Sequence, residues 1–83
     1  MEAAAEELRH LVEAVSSPLV DNPEELEVTS ILNGHDLMIE IRVNPEDAGK
    51  VIGRQGRVIK SIRTLARAAA SRKDLSVDVE LID

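Results

Sequence analysis

The apolar residues of this chain recur with two different periods, and each period predicts a different kind of element. Helical spacing runs through residues 2–16 and again through residues 57–72, so both segments are predicted to be amphipathic helices. Strict alternation runs through residues 36–43, where every second residue from Leu37 to Val43 is aliphatic. Residues 25–32 and 75–82 are predicted to be strands as well.

The connections between these segments predict the order of the fold. Asn33-Gly34 predicts a two-residue hairpin, because both residue types tolerate a positive φ. Asn44 and Pro45 predict the N-cap and first position of a short helix that runs to about Ile52, with Gly53 as its left-handed C-terminal cap. The order α-β-β-α-α-β predicts an α+β fold in which the helices pack on one face of a three-stranded sheet. A chain of 83 residues is expected to form one domain over residues 1–83.

The composition excludes several classes of function. There is no cysteine, so a disulfide framework, a thiolate metal site and a cysteine nucleophile are excluded. The acidic start of the chain is unlike a signal or transit peptide, and no apolar run approaches the ~20 residues of a membrane span. We therefore expect a cytoplasmic protein that does not bind membranes. The absence of Phe, Tyr and Trp also leaves no ring on which a base can stack.

Charge is distributed very unevenly along the chain. The net charge of −6 by itself argues against a polyanionic partner. Residues 48–73, however, contain no acidic residue and eight Lys or Arg residues, so this window carries +8 and the remainder −14. A local field of this kind can steer a polyanion to one site despite the net charge.

Two glycines stand inside this basic window, at Gly53 and Gly56. The simplest explanation is that they supply positive φ for a tight turn between two helices. The spacing is neither a Walker loop nor a dinucleotide-binding fingerprint. The setting favours a phosphate-binding loop instead, because a glycine lets a phosphate chain approach the main chain and the next helix begins at Arg57.

The helix that follows the glycines lacks the charge pairs that would stabilise it. Arg63 and Arg67 are like charges at i,i+4, and Arg57 and Lys60 are like charges at i,i+3. Such pairs are unfavourable by a few tenths of a kcal/mol each. An anion-facing surface on this helix is therefore favoured over an ordinary solvated face.

Residues 51–59, VIGRQGRVI, resemble the K-homology (KH) signature V-I-G-x-x-G-x-x-I. Residues 47–70, and the order of elements over the whole length, are similar to the small bacterial RNA-binding proteins with one KH domain, the KhpA family. The resemblance implies a single type II KH domain with its G-x-x-G loop at 53–56. A KH loop clamps about four nucleotides of single-stranded RNA by their backbone.

The resemblance also implies the residues of the site. The phosphate loop would be formed by Gly53, Arg54, Gln55 and Gly56. The auxiliary cations would be Lys50, Arg57 and Lys60. The floor of the groove would draw on Val51, Ile59 and one unnamed residue of strand 36–43, and its aliphatic character would make aromatic residues unnecessary.

Partners and a cellular role follow from the resemblance alone. It implies single-stranded RNA as the ligand, with no cofactor. It also implies a homodimer, or a heterodimer with a second KH-containing protein of the KhpB (Jag or EloR) type. The implied role is that of an RNA chaperone or post-transcriptional regulator linked to cell elongation and division.

An enzyme and a protein-interaction module are the two alternatives to RNA binding. An enzyme is not expected, because His10 and His35 have no nucleophile motif nearby, and Asp21, Glu24 and Glu25 lack the spacing of a calcium loop.

The stronger alternative is a protein-interaction module in which the KH fold serves for dimerisation and RNA binding is secondary. Leu65 lies at the edge of the apolar arc of the second long helix, next to Ser61 and Ala68. These three residues are the predicted dimer interface, because apolar patches with a polar rim often mark interfaces.

Overall fold

The computed structural model describes residues 1–82, and its main elements follow the predicted order. The helices are α1 (Glu2–Ser16), α2 (Ala48–Ile52) and α3 (Arg57–Ser71), and the strands are β1 (Glu27–Asn33), β2 (Asp36–Arg42) and β3 (Ser76–Ile82). The predicted α+β class is confirmed. Most boundaries lie within two residues of the prediction, but α2 is shorter, because residues 45–47 form a separate 3-10 turn before it.

The three strands form one sheet in the order β1-β2-β3. The central strand, β2, is antiparallel to β1 and parallel to β3, so β1 and β3 are the two edges. The hairpin prediction was wrong by one residue. Asn33 pairs with Asp36, so the loop residues are Gly34 and His35, and the positive φ of 65° falls on Gly34.

One face of the sheet carries the core and the helices cover it. The inward residues of β2 are all buried, and those of β1 and β3 are buried or half-buried, while the alternate residues are exposed or half-buried. Each helix contributes at least one fully enclosed side chain to the same core. The buried apolar side chains of the helices are Ala5, Leu8, Val12, Val51, Ile62, Ala66 and Ala70.

Arginine side chains of the helices bond to main-chain carbonyls at both edges of the sheet. On β1, Arg9 Nη1 of α1 donates to the carbonyl of Val28 at 3.2 Å. On β3, Arg63 and Arg67 of α3 donate to the carbonyls of Val79 and Val77. Unpaired edge groups can pair with a foreign strand, so these contacts protect the sheet as well as anchoring the helices.

Candidate nucleic-acid interface

The loop between α2 and α3 is built from residues with positive φ. Gly53, Gln55 and Gly56 have φ values of 77°, 57° and 73°. The N–H of Gly53 donates to the carbonyl of Gly49 at 2.8 Å and closes α2. Its ψ of 172° is extended, so the expected left-handed cap conformation at Gly53 was wrong although the positive φ is present. It is Gly56, with ψ 16°, that takes the left-handed conformation and precedes α3.

The two glycines are required for different physical reasons. A Cβ atom at Gly53 would lie 2.7 Å from Val58 Cβ and 2.8 Å from Val58 N, because the loop folds back onto the first turn of α3. A Cβ atom at Gly56 would meet no atom within 4 Å. Glycine is therefore required at position 53 by close packing and by the positive φ, whereas at position 56 it is required by the positive φ alone.

The tip of the loop points into solvent and is polar. Arg54 and Gln55 are both exposed, and Arg57 Nη2 donates to Gln55 Oε1 at 3.1 Å. Arg57 is the first residue of the 15-residue helix α3, whose first main-chain N–H groups have no partner within the helix. The N–H of Arg57 itself donates to the carbonyl of Arg54. The loop thus combines the positive end of the helix dipole with arginine side chains in one place, which suits an anion.

The cations of the basic window divide into two groups. Carboxylates pair with Lys50, Arg63, Arg67 and Lys73. Among residues 1–82, no carboxylate lies within 4 Å of the basic groups of Arg54, Arg57, Lys60 or Arg72. Three of these four cations stand together at the glycine loop and the first turn of α3, whereas Arg72 lies at the far end of that helix.

Lys50 is part of a structural network, so its expected role as an auxiliary cation needs correction. Its ammonium lies 2.7 Å from Asp21 Oδ2 and 3.2 Å from Asp47 Oδ1. The hydrogen bonds from Lys50 to Asp21 and then to Asp47 raise its pKa above the usual value. Its charge is already compensated within the chain, and the side chain ties α2 to the segment between α1 and β1.

Asp47 is the buried centre of this network, and sequence reasoning assigned it only to a helix start. Its carboxylate accepts hydrogen bonds from the main-chain N–H groups of Asp21 and Asn22, at 3.1 and 3.0 Å, and from the Asn22 side chain. Burial alone would raise the pKa of Asp47, but these bonds and the bond from Lys50 outweigh it and lower the pKa to about 2. The predicted N-cap, Asn44, is present, but it caps the 3-10 turn of residues 45–47 that precedes α2: its side chain accepts from the N–H of Glu46 at 2.8 Å.

The apolar side of the site is formed by residues other than those expected. Val51 is 0% exposed and belongs to the core, so the expectation that it lines a groove floor was wrong. Its neighbour Ile52 is 39% exposed, and the sequence analysis did not assign it to the site. The adjacent apolar pair could have indicated it, because only one of two neighbouring residues in a short helix can face the core. Ala48, Val43, Pro45 and Ile82 line a hollow of about 260 Å³ beside α2.

The strand that borders this region is β3 and not strand 36–43. β2 is central, and its inward residues Leu37, Ile39 and Ile41 are buried, so it has no open edge. Arg63 bonds to Val79, and Arg67, one turn later in α3, bonds to Val77. Each turn of α3 therefore spans two residues of β3. Ile59, one turn before Arg63, and Leu81, two residues after Val79, are both partly buried against the core. Ile59 is half-buried there, and it is the one expected floor residue that the structure leaves partly accessible.

Arg63 and Arg67 do not form the free anion-facing surface expected from their spacing. Asp78 Oδ1 accepts from Arg63 Nε at 3.1 Å and from Arg67 Nη2 at 3.4 Å. The compensating carboxylate comes from β3, which is distant in sequence. Inspection of α3 alone therefore could not detect it.

The opposite flank of α3 carries the three residues of the predicted dimer interface. Leu65 is 44% exposed, and Ser61 and Ala68 are exposed as well. Leu65 separates two hollows. One, of about 280 Å³, is lined by α1 and the start of α3, and the other, of about 400 Å³, includes Ala68, Ala69 and Arg72. This flank is largely apolar and uncovered, and it adjoins the glycine loop at Arg57, which lines the smaller hollow.

Residues 1–82 contain no group of three or more His, Asp or Glu side chains placed to hold a metal ion. No helix in this part of the chain is long and apolar enough to cross a bilayer.

Comparison with known proteins agrees with the geometry of the loop. A family model described as the KH domain of KhpA/KhpB matches residues 9–81. A protein of Clostridium perfringens named RNA-binding protein KhpA is 45% identical over 75 residues, which cover 90% of this chain and all of that protein. A protein of the same name from Caldanaerobacter subterraneus is 49% identical over 87% of this chain and 96% of its own length. No solved structure matches this chain. The chain therefore belongs to the KhpA/KhpB family of KH-domain proteins.

Proposed function

We propose that this chain binds short single-stranded RNA, with the sugar-phosphate backbone on the loop Gly53–Gly56 and the bases toward Ile59 and the open edge of β3. The observation that carries the proposal is the concentration of uncompensated charge at Arg54, Arg57 and Lys60, next to the N-terminal end of α3. The names of the relatives, RNA-binding protein KhpA, support the same ligand. We assign no role in catalysis and no cofactor to this site.

The opposite face of the protein supports this orientation of the RNA. The outer face of the sheet carries Glu27, Asp36, Glu40 and Glu80, and Thr29, Glu40 and Glu80 occupy the same row of the ladder. The cation there, Arg42, is already bonded to Glu40 at 3.3 Å. This acidic face repels phosphate, so a polyanion approaches from the side of the loop.

The proposal is tested by reversing the charge of the loop tip. Replacing Arg54 and Gln55 by two aspartates should abolish RNA binding, because the new carboxylates repel phosphate at close range. Both positions are exposed, so stability should change by only about ±0.5 kcal/mol. The matched control replaces Ser71 and Arg72 by two aspartates, which changes the net charge equally at the far end of α3.

Binding is measured by gel shift or fluorescence anisotropy with a short single-stranded RNA, and folding by circular dichroism. The control should retain most of the affinity. Unchanged binding by the loop variant, or equal loss in both variants, rules out the loop as the site.

We also infer that the flank of α3 at Ser61, Leu65 and Ala68 is a dimer interface, with a second copy or a KH-containing protein of the KhpB type as the partner. The exposure of Leu65 between two apolar hollows supports the location, and the shared KhpA/KhpB family model supports the partner class. Leu65→Asp should give a folded monomer, because a carboxylate cannot enter an apolar interface without a partner.

The matched control for this interface is Thr64→Asp, which places the same charge on the next residue of the exposed side of α3. Sedimentation measures assembly, and circular dichroism measures folding. Unfolding of Leu65→Asp would place Leu65 in the core, and a wild type that already sediments as a monomer would remove the homodimer.

We further propose a cytoplasmic role as an RNA chaperone or post-transcriptional regulator connected with cell elongation and division. Family membership supports this role. Crosslinking in cells, followed by sequencing of the RNA recovered with wild type and with the loop variant, tests it. RNA recovered equally with both proteins would contradict it.

A further inference from the structure

The open edge of β3 is largely occupied by side chains of the protein itself. Alternate residues of this strand direct their main-chain groups away from β2, and these are Val77, Val79 and Leu81. The carbonyl of Val77 accepts from Arg67, the carbonyl of Val79 accepts twice from Arg63, and the N–H of Val79 donates to Asp78 Oδ1 at 2.9 Å. A base lying along this edge therefore meets the arginine side chains at 77–79 instead of the main chain.

Arg63 is held rigidly by these bonds and still has donors to offer. Its Nε is shared between Asp78 and the carbonyl of Val79, and its Nη2 donates to that carbonyl at 2.8 Å. A guanidinium carries five N–H donors, so three remain without a partner among residues 1–82. The side chain is 27% exposed, which leaves part of the guanidinium accessible at a fixed position.

The surroundings of Arg63 favour a base over a phosphate. Asp78 lies against the guanidinium, so a phosphate would meet a carboxylate next to the cation. A base is neutral and brings no such repulsion. Arg63 also lies six residues beyond Arg57, or about 9 Å along α3, which is within reach of a base whose phosphate is at the loop.

The chemistry of the four bases then favours one of them. A planar guanidinium donates two parallel hydrogen bonds, and guanine offers two adjacent acceptors, O6 and N7, on one edge. Adenine and uracil have no two adjacent acceptors on their base-reading edges. Cytosine has O2 and N3, but arginine bonded to O6 and N7 of guanine is the commonest specific contact of this kind. We propose that Arg63 is a specificity-determining residue that reads one guanine of the bound RNA through O6 and N7, an inference that rests on the proposed function of the loop.

The experiment compares three fluorescent octanucleotides: oligo(A), oligo(A) with one central guanosine, and the same RNA with 7-deazaguanosine, which lacks the N7 acceptor. Wild type should bind the guanosine RNA at least fivefold more tightly than oligo(A), and should lose most of this ratio with 7-deazaguanosine. A well-formed bidentate pair is worth about fivefold or more. Arg63→Lys keeps the charge but loses the paired N–H donors, so its preference for the guanosine RNA over oligo(A) should fall below twofold.

The control variant is Arg42→Lys, which alters an arginine bonded to a carboxylate on the outer face of the sheet and should keep the wild-type ratio. Thermal unfolding of each variant separates a loss of reading from a loss of structure. Equal binding of all three RNAs by wild type, with binding still abolished by the aspartates at Arg54 and Gln55, overturns the role of Arg63 and leaves the loop intact. A ratio that survives in Arg63→Lys overturns it as well, and a wild type that binds none of the RNAs removes the loop proposal with it.

Discussion

The glycine loop makes a quantitative prediction about stability, because its two glycines and the nearby Gly49 differ in their surroundings. Gly53 has a φ of 77° with an extended ψ of 172°, a region that is essentially restricted to glycine. Gly56 has a left-handed conformation in open space. Gly49 lies within α2, has no positive φ and would place a Cβ in open space. Alanine at Gly49, Gly56 and Gly53 therefore tests, in that order, neither strain nor clash, backbone strain alone, and strain together with a clash.

The expected effects follow from these three settings. Gly53→Ala combines backbone strain of about 1–3 kcal/mol with a clash against Val58 of about 1–3 kcal/mol, so it should destabilise the protein by roughly 2–6 kcal/mol. Gly56→Ala should destabilise it by about 1–2 kcal/mol from the left-handed backbone alone. Gly49→Ala should stabilise it by about 0.5–1 kcal/mol. A domain of this size has a total stability of only about 4–12 kcal/mol, so Gly53→Ala should approach the limit of folding.

Urea unfolding followed by far-UV circular dichroism measures all three variants, since the chain has no aromatic residue for intrinsic fluorescence. The slope with urea should stay constant while the midpoint moves. Val58→Ala in the Gly53→Ala background should recover part of the loss, because it removes the methyl groups that the new Cβ meets. Equal destabilisation by Gly53→Ala and Gly56→Ala, or no recovery, would refute the close approach of the loop to α3.

Three further predictions concern acid, a buried hydroxyl and salt. The pKa of Asp47 is about 2 in the folded protein and about 3.9 in the unfolded chain. Its contribution to stability is therefore complete above about pH 4 and is lost as the pH falls toward 2. Over that interval the urea midpoint of Asp47→Asn should decline less steeply than that of the wild type. Ser16 Oγ is buried without a hydrogen-bond partner among residues 1–82, so Ser16→Ala should leave stability unchanged or raise it by about 1 kcal/mol, as measured by thermal unfolding. The logarithm of the RNA association constant should fall with the logarithm of the salt concentration at a slope of about −2, from about 0.7 for each of Arg54, Arg57 and Lys60. A slope near zero in a salt titration would contradict phosphate binding at the loop.

Local sequence patterns were sufficient to predict the elements and their order. Helical spacing in α1 and α3 and strict alternation in β2 describe residues that are neighbours along the chain, and the observed bounds of these three elements differ from the predicted ones by at most one position. The glycine spacing likewise predicted the loop, since positive φ is a property of the local backbone. The hairpin was displaced by one residue, because both Asn33 and Gly34 tolerate positive φ and only pairing with β2 decides between them.

The charge network of the site could not be predicted in this way, because it depends on contacts between distant segments. Asp78 of β3 lies beside Arg63 and Arg67, and Asp21 and Asp47 lie beside Lys50. Each pairing removes a cation that looks free in the sequence. The exposure of Ile52 and the burial of Val51 depend on which side of the five-residue helix α2 meets the core, and alternation alone does not fix that rotation.

Helix α3 presents its two proposed interaction surfaces in nearly opposite directions. Arg63 and Leu65 are two residues apart, which turns their side chains about 160° away from each other at about 3.6 residues per turn. Between them, on the third side, Ile62 and Ala66 are buried in the core. A partner that covers Leu65 would therefore leave Arg63, the edge of β3 and the loop tip at Arg54 uncovered, and of the loop site it would adjoin only Arg57. Two copies joined through Leu65 would present two loops to one RNA, and the second contact would be intramolecular, so the dimer should bind a long RNA more tightly than the Leu65→Asp monomer while both bind a single short site equally. An equal affinity of dimer and monomer for long RNA would show that the two loops cannot reach the same strand.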